Sequence, residues 1–289
     1  MAASPSKLLR TTQRVKMAVL CAGLLLPGAA WAQEPKIPLL WEPRERLASP
    51  DLSALPRLRF LTSTDFPPFN AIDAQGQLSG FHIDLARAIC AELKLGDKCQ
   101  IQALPWSELR PALLRGEGEA IIAGVAANAE ARETLGFTRP FLWFPARFVT
   151  LKDQLPAEPL VKSLHGKAVG VLAGGAHEKM LRAEFDGLDV KPYAKPEELY
   201  RDLREKKIAA IFGDGMRLSY WLAGEEGRGC CVFAGGPYLA PEYLGTGLSI
   251  AVKREDADLL AGLDYALQTI ATNGRFTELY LRTFPVGFY

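Results

Sequence analysis

An α/β fold is predicted by three features of this chain. An apolar, β-branched run at Leu58–Thr62 leads through a loop and a turn into an amphipathic helix from about Asp84, where Leu85, Ile89 and Leu93 recur every fourth residue as one buried stripe. The order of strand, loop and helix returns at Leu164–Leu181, where LHGKAVGV runs through LAGGA into HEKML. Helical and extended segments then alternate as far as a long helix, Asp256–Thr272, with Leu259, Leu260, Leu263, Leu267 and Ile270 on its inner face. At 289 residues the chain is long enough for two modest lobes or one large domain.

The N-terminus is read as an export signal. Residues 1–16 carry Lys7, Arg10, Arg14 and Lys16 and no acid, Met17–Ala30 is apolar and small, and Ala30-Trp31-Ala32 offers small residues before a cut after Ala32. The apolar core is too short for a membrane anchor and contains Pro27 and Gly28. Removing residues 1–32 leaves 30 basic against 33 acidic side chains, a formal −3, which speaks against nucleic acid or an anionic membrane as partner. Residues 33–56 are proline-rich and aperiodic. They are read either as an extended arm that packs through Leu39, Leu40 and Trp41 or as a leader without fixed structure.

After the first strand comes the loop STDFPPFN, Ser63–Asn70. Ligands of open α/β sheets bind where strands end. Pro67 and Pro68 stiffen this loop, and Phe66 and Phe69 are read as flat apolar faces for a ligand. The helix that follows begins GFHIDLARAICAEL. Gly80, Phe81, Ile83, Asp84, Leu85, Ile89, Cys90 and Leu93 resemble the signature of the family 3 periplasmic solute-binding proteins, which serve ABC importers, mostly for polar amino acids. His82 departs from it, standing where the family usually has an acid. The resemblance continues to the C-terminus. It implies the two-lobed periplasmic-binding-protein fold of type II: mixed sheets with helices on both faces, and two hinge crossings. Lobe 1 would comprise residues 57–142 with 246–289, and lobe 2 residues 143–245. It also implies a disulfide between Cys90 and Cys99, since some amino-acid binders of the family carry one at this place. For Cys230-Cys231, a vicinal disulfide and two buried thiols stay open, and a metal site is excluded because no histidine lies near.

Further along, Ser107 is read as the cap of a helix with Leu109, Leu113 and Leu114 inward and Pro111 in its first turn, followed by a strand at Glu119–Gly124. In AANAEARETLGFTRPF, residues Phe137, Thr138, Pro140 and Phe141 match the family, whereas Ala131 occupies the usual arginine place and Arg132 follows one residue later. The resemblance makes Arg132 the partner of a ligand α-carboxylate, a task suited to a forked guanidinium; a helix-paired surface arginine is the plainer reading. Trp143–Leu151 is read as a strand crossing to lobe 2, with Trp143 either in the cleft or in interlobe packing. The glycine loop then offers the N–H groups of Gly175, Ala176 and His177 at a helix start, a ready anion site that resembles the family's carboxylate loop without its hydroxyls. Pro196 opens a helix with Leu199 and Leu203 inward; Ile208–Phe212 is a strand that Gly213-Asp214 ends. The resemblance gives Asp214 the ligand's α-ammonium, although Asp is also common as a turn cap. Residues 235–252 are the return crossing, with Gly245 and Gly247 at a hinge.

The reading is therefore a periplasmic protein that captures an amino acid or similar small polar carboxylate-bearing solute for the membrane permease of an ABC importer. It would act without cofactor or metal, and as a monomer. Where relatives that bind basic amino acids place an Asp, this chain has Ser63, and Ala126, Ala131, Gly175 and Ala176 thin the usual carboxylate shell. Two alternatives follow. One is an enzyme resembling a periplasmic cyclohexadienyl dehydratase, with Glu178 or His177 as acid. The other is an accessory or sensor module of the same fold.

Overall fold

In a computed structural model, the structure describes Met1, Ile37, Pro38, Trp41, Glu42 and Arg44–Tyr289. The export signal and Leu39 and Leu40 of the arm lie outside the described residues. Of the arm, Trp41 is buried against the apolar core and the Arg139 guanidinium covers its ring at 5.1 Å. Leu47 N–H donates to Gln268 Oε1, Gln268 Nε2 donates back to Glu45 O, and Glu45 pairs with Arg139.

Strand β1 (Leu58–Thr62) has the bounds its apolar pattern predicts. The chain then folds into a small three-stranded antiparallel sheet, with β2 (Asp65–Phe66) and β3 (Asn70–Ile72) as a hairpin and β4 (Leu78–Ser79) beside β3. Helix α1 spans Phe81–Glu92, three residues earlier than the leucine spacing indicates, because Gly80 starts it through its backbone. Phe81, Leu85 and Ile89 are wholly buried, each contributing about 2 kcal/mol. Cys90 and Cys99 form the disulfide between α1 and β5 (Cys99–Ala103). Its loop is short, so substituting both cysteines by serine is expected to lower stability by about 2–3 kcal/mol in urea titrations. A loss under about 0.5 kcal/mol would show that the link constrains the unfolded chain very little.

Helix α2 (Trp106–Leu114) corrects three expectations. Its N-cap is Pro105, so Ser107 lies inside the first turn and makes no cap bond, and Pro111 sits within the helix. Leu109 and Leu113 point inward, as does Ala112, whereas Leu114 is exposed. The next strand, β6, is only Ala120–Ile121, and β7 is Leu135–Phe137.

The second sheet begins with β8 (Ala146–Leu151), three residues later than expected. It continues through α3 (Leu160–Leu164), β9 (Ala168–Leu172), α4 (Ala176–Glu184), β10 (Asp189–Tyr193), α5 (Pro196–Arg204), β11 (Ala210–Asp214), α6 (Gly215–Ala223), α7 (Glu225–Arg228) and β12 (Cys231–Tyr238). Proline opens α5 and its Leu199 and Leu203 are buried, as read. Cys230 and Cys231 are joined as a vicinal disulfide at the start of β12. The chain returns through α8 (Pro241–Leu244) to β13 (Ala251–Lys253), α9 (Ala257–Thr272) and α10 (Arg275–Thr283).

Strand order is β5-β1-β6-β13-β7 in one sheet and β10-β9-β11-β8-β12 in the other. Each sheet is parallel where βα units build it and antiparallel where a crossing chain enters: β13 joins the first sheet antiparallel, and β8 the second. The two crossings run side by side, with Leu248 N–H donating to Leu142 O at 2.7 Å and Phe141 N–H donating to Leu248 O at 2.8 Å. Gly247, with φ +81, lets them approach: a Cβ there would stand 2.6 Å from Leu142 O. The C-terminal segment locks against the same place. Tyr289 hydroxyl donates to Trp143 O at 2.7 Å and accepts the Trp143 N–H at 2.9 Å, while Arg147 Nη1 donates to Phe288 O. This arrangement of mixed sheets, helices on both faces and paired crossings is the two-lobed α/β fold.

Candidate functional site

In each sheet the parallel strands deliver their following loops to one edge. On the first sheet, β1 and β5 are in register from Leu58↔Cys99 to Thr62↔Ala103, so the loop with Phe66 and the start of α2 leave together. Segment 122–132 leaves beside them after β6, and Gly124 lies against Phe66. Phe66 is half-buried and stacks on Phe69 with ring centroids 4.8 Å apart. Phe69 itself has no exposed surface: the hairpin turns it inward among Phe81, Phe144 and Phe284. Of the two rings read from the sequence as a ligand wall, Phe69 is thus core, and Phe66 keeps an exposed face. Trp106, in the first turn of α2, is about half exposed at this edge and was missed by pattern reading. Its signal was available: an aromatic residue three positions beyond a strand's C-terminal end.

Beneath Phe66 runs a buried polar chain. Asn70 Nδ2 donates to Ser63 Oγ and Ser63 O, both at 2.9 Å, and His82 Nδ1 lies 2.8 Å from Asn70 Oδ1. With Asn70 Oδ1 as acceptor, Nδ1 carries the proton, and Nε2 is buried with no partner among the described residues. Burial pushes the His82 imidazole down to about 3, so it is neutral at ordinary pH.

On the second sheet, β9, β10 and β11 are mutually parallel, and the loops after β9 and β11 leave from the same edge. There they line a cavity of about 280 Å³ with Gly175, His177, Tyr200, Asp214 and Arg217 on its polar side. Leu172, Leu199, Ile211 and Phe212 form its apolar floor. Gly175 is the N-cap of α4, and the N–H groups of Ala176 and His177 head its first turn, where helix geometry supplies no carbonyl. Asp214 closes β11 and caps α6: its Oδ1 accepts the Arg217 N–H at 2.7 Å, and among the described residues the second oxygen is uncommitted. His177 Nε2 is buried with no partner among the described residues; burial lowers the imidazole's proton affinity, Asp214 raises it and Arg217 lowers it again. Tyr200 stacks on Trp221, centroids 4.3 Å apart.

The residues singled out in the sequence thus divide. Gly175, Ala176, His177 and Asp214 come together at one sheet edge. Phe66 stands on the edge of the other sheet. Arg132 does not join the cavity: it is exposed on a single helical turn, Ala131–Glu133, with Nε donating to Ala127 O at 3.2 Å and its guanidinium 5.2 Å from the Phe137 ring. Trp143 is half-buried, its backbone held by Tyr289, and it does not line the cavity. Arg217 and Tyr200 were missed, because neither belongs to a recognisable motif.

Residues 58–286 match the bacterial extracellular solute-binding proteins, family 3, and the chain belongs to that family. It is 29% identical over 233 residues to ABC transporter arginine-binding protein 1 of Escherichia coli, covering 81% of this chain and 93% of that one. It is 28% identical over 245 residues to the lysine/arginine/ornithine-binding periplasmic protein of the same organism, covering 84% and 93%. Among solved structures, the L-cystine solute receptor of Neisseria gonorrhoeae in its unliganded open conformation has the same fold, with a TM-score of 0.65 at 18% identity over 80% of this chain and 93% of that one.

Proposed function

We propose that this chain captures an amino acid, or a similar small carboxylate-bearing solute, in the periplasm and presents it to the membrane permease of an ABC importer. The observation that carries the reading is the cavity where Asp214, His177 and the start of α4 converge. Asp214 takes the ligand's ammonium on its uncommitted oxygen, the N–H groups of 175–177 receive its carboxylate, and Phe66 packs on it from the other lobe. Closure of lobe 1 (57–142 and 246–289) over lobe 2 (143–245) encloses it, after export has removed residues 1–32. A monomer suffices for this.

Binding without catalysis is favoured by the state of Glu178, one of the two candidate acids, with His177, that the sequence offers. It accepts the Gly174 N–H at 2.8 Å and pairs with Arg182 at 2.8 Å, and both hold its carboxyl below the usual range. An acid so fixed has no proton to give at neutral pH.

Thermal shift with amino acids, small dicarboxylates and prephenate tests the reading. A ligand at a hundred times its Kd should add roughly 2.7 kcal/mol. Asp214→Asn keeps a capping oxygen and removes the charge, so it is expected to weaken an amino-acid ligand by at least about tenfold. A shift confined to prephenate or dicarboxylates, indifferent to Asp214→Asn, would overturn it.

A further inference from the structure

Arg217 is the one strong charge in the cavity that the proposed ligand set leaves unused. Its backbone N–H is committed to Asp214, but its guanidinium has no hydrogen bond, ion pair or ring partner among the described residues. Several arginines outside the lining are occupied, among them Arg182 with Glu178, Arg204 with Glu226, and Arg132 over Phe137. The charge of Arg217 reaches into the cavity, since it opposes protonation of His177 and favours ionisation of Tyr200.

Position strengthens the case. Asp214 is the N-cap of α6 and Arg217 stands three residues on, so a carboxylate and a guanidinium flank one helix turn. The two charges of an α-amino acid are likewise neighbours, on one carbon. A guanidinium presents paired donors to two carboxylate oxygens and adds a full positive charge to the N–H groups at the start of α4. The rest of the cavity is unsuited to a second cation. Among the described residues Asp214 is the only acid lining it, Arg217 itself would repel a basic side chain, and the floor of Leu172, Leu199 and Phe212 is apolar. Glu197, whose charge is felt at Tyr200, is exposed on α5 and outside the lining, and Glu178 is paired with Arg182.

We infer that Arg217 grips the ligand's α-carboxylate, in the role that the family resemblance gives to Arg132, and that the ligand is an α-amino acid with an uncharged side chain laid on the apolar floor. This rests on the amino-acid reading above and deepens it.

Calorimetric titration of the purified chain with the proteinogenic L-amino acids and their carboxamides tests it, using Arg217→Ala, Arg217→Lys and Arg132→Ala. Arg217 is exposed, so its variants should keep the wild-type circular dichroism. The expected tightest ligand is uncharged. Arg217→Ala should weaken it about 10- to 100-fold, Arg217→Lys less, and Arg132→Ala by under about threefold. The sharper readout is the acid-to-carboxamide ratio, which wild type should show and Arg217→Ala should lose. An unchanged ratio in Arg217→Ala, or arginine or lysine as the tightest ligand, would overturn the inference while leaving the amino-acid reading standing. Failure of every amino acid to bind wild type would remove that reading, and this one with it.

Discussion

Replacing Gly80 by alanine is expected to destabilise the protein by roughly 3–5 kcal/mol. Gly80 has φ +119 and ψ 174, a region open essentially to glycine alone. Strain is only part of the cost. A Cβ there would collide with Phe69 O and stand 2.6 Å from Phe69 C and 2.7 Å from Pro68 O. These are backbone atoms, and they are engaged: Phe81 N–H donates to Pro68 O at 3.0 Å and His82 N–H to Phe69 O at 2.8 Å. Relief therefore requires the helix start to separate from the Phe66 loop, which would break both bonds and loosen the ring stack beneath the cleft. Gly76 supplies the control, because its φ is +77 but nothing lies within 4 Å of an added Cβ. Gly76→Ala should cost only about 1–2 kcal/mol of backbone strain. Urea titrations of both variants at neutral pH decide the matter; equal losses would mean that the contact with the loop carries no weight.

Gly80 also shows where reading the sequence succeeds and where it stops. Side-chain periodicity marks what a helix buries, so Leu85 and Ile89 were legible, and so were Leu199 and Leu203. It does not mark where a helix begins when the start is set by backbone geometry, and α1 begins at Phe81 rather than near Asp84 for that reason. The α2 start failed similarly: Ser107 is a fine capping residue, but Pro105 already had the extended backbone the cap position needs. Phe66 and Phe69 look alike in a loop; only the path of the β2–β3 hairpin decides that one keeps a free face and the other becomes core. Arg132 drew attention through its neighbours in sequence. Arg217 had no such signal, because what distinguishes it is the cavity it shares with Asp214.

The His82 position should make stability depend on pH with a known sign. The imidazole is neutral in the fold, with its pKa near 3, and titrates near 6.5 when the chain unfolds. Between those values the unfolded chain binds the extra proton. The contribution is complete above pH 6.5 and is lost progressively as pH falls toward 3. At pH 4.5 the loss should be roughly 2–3 kcal/mol. Among the described residues no nearby group offers relief: the ring packs between Phe66, Phe69, Phe81 and Phe141, and Asn70 is its single polar partner. Asp264 acts in the opposite sense: burial raises it to about 6, so its contribution is present below pH 3.8 and lost as pH rises through 6. The wild-type profile mixes both, and the informative quantity is a difference. His82→Asn places an amide where Nδ1 stood and removes the titration. It should be less stable than wild type at pH 7.5, by about 1–2 kcal/mol for the lost packing, and should match or exceed wild type at pH 4.5. Parallel stability curves for the two proteins across that range would mean that His82 keeps its ordinary pKa in the fold, and that the ring is less enclosed than its contacts indicate.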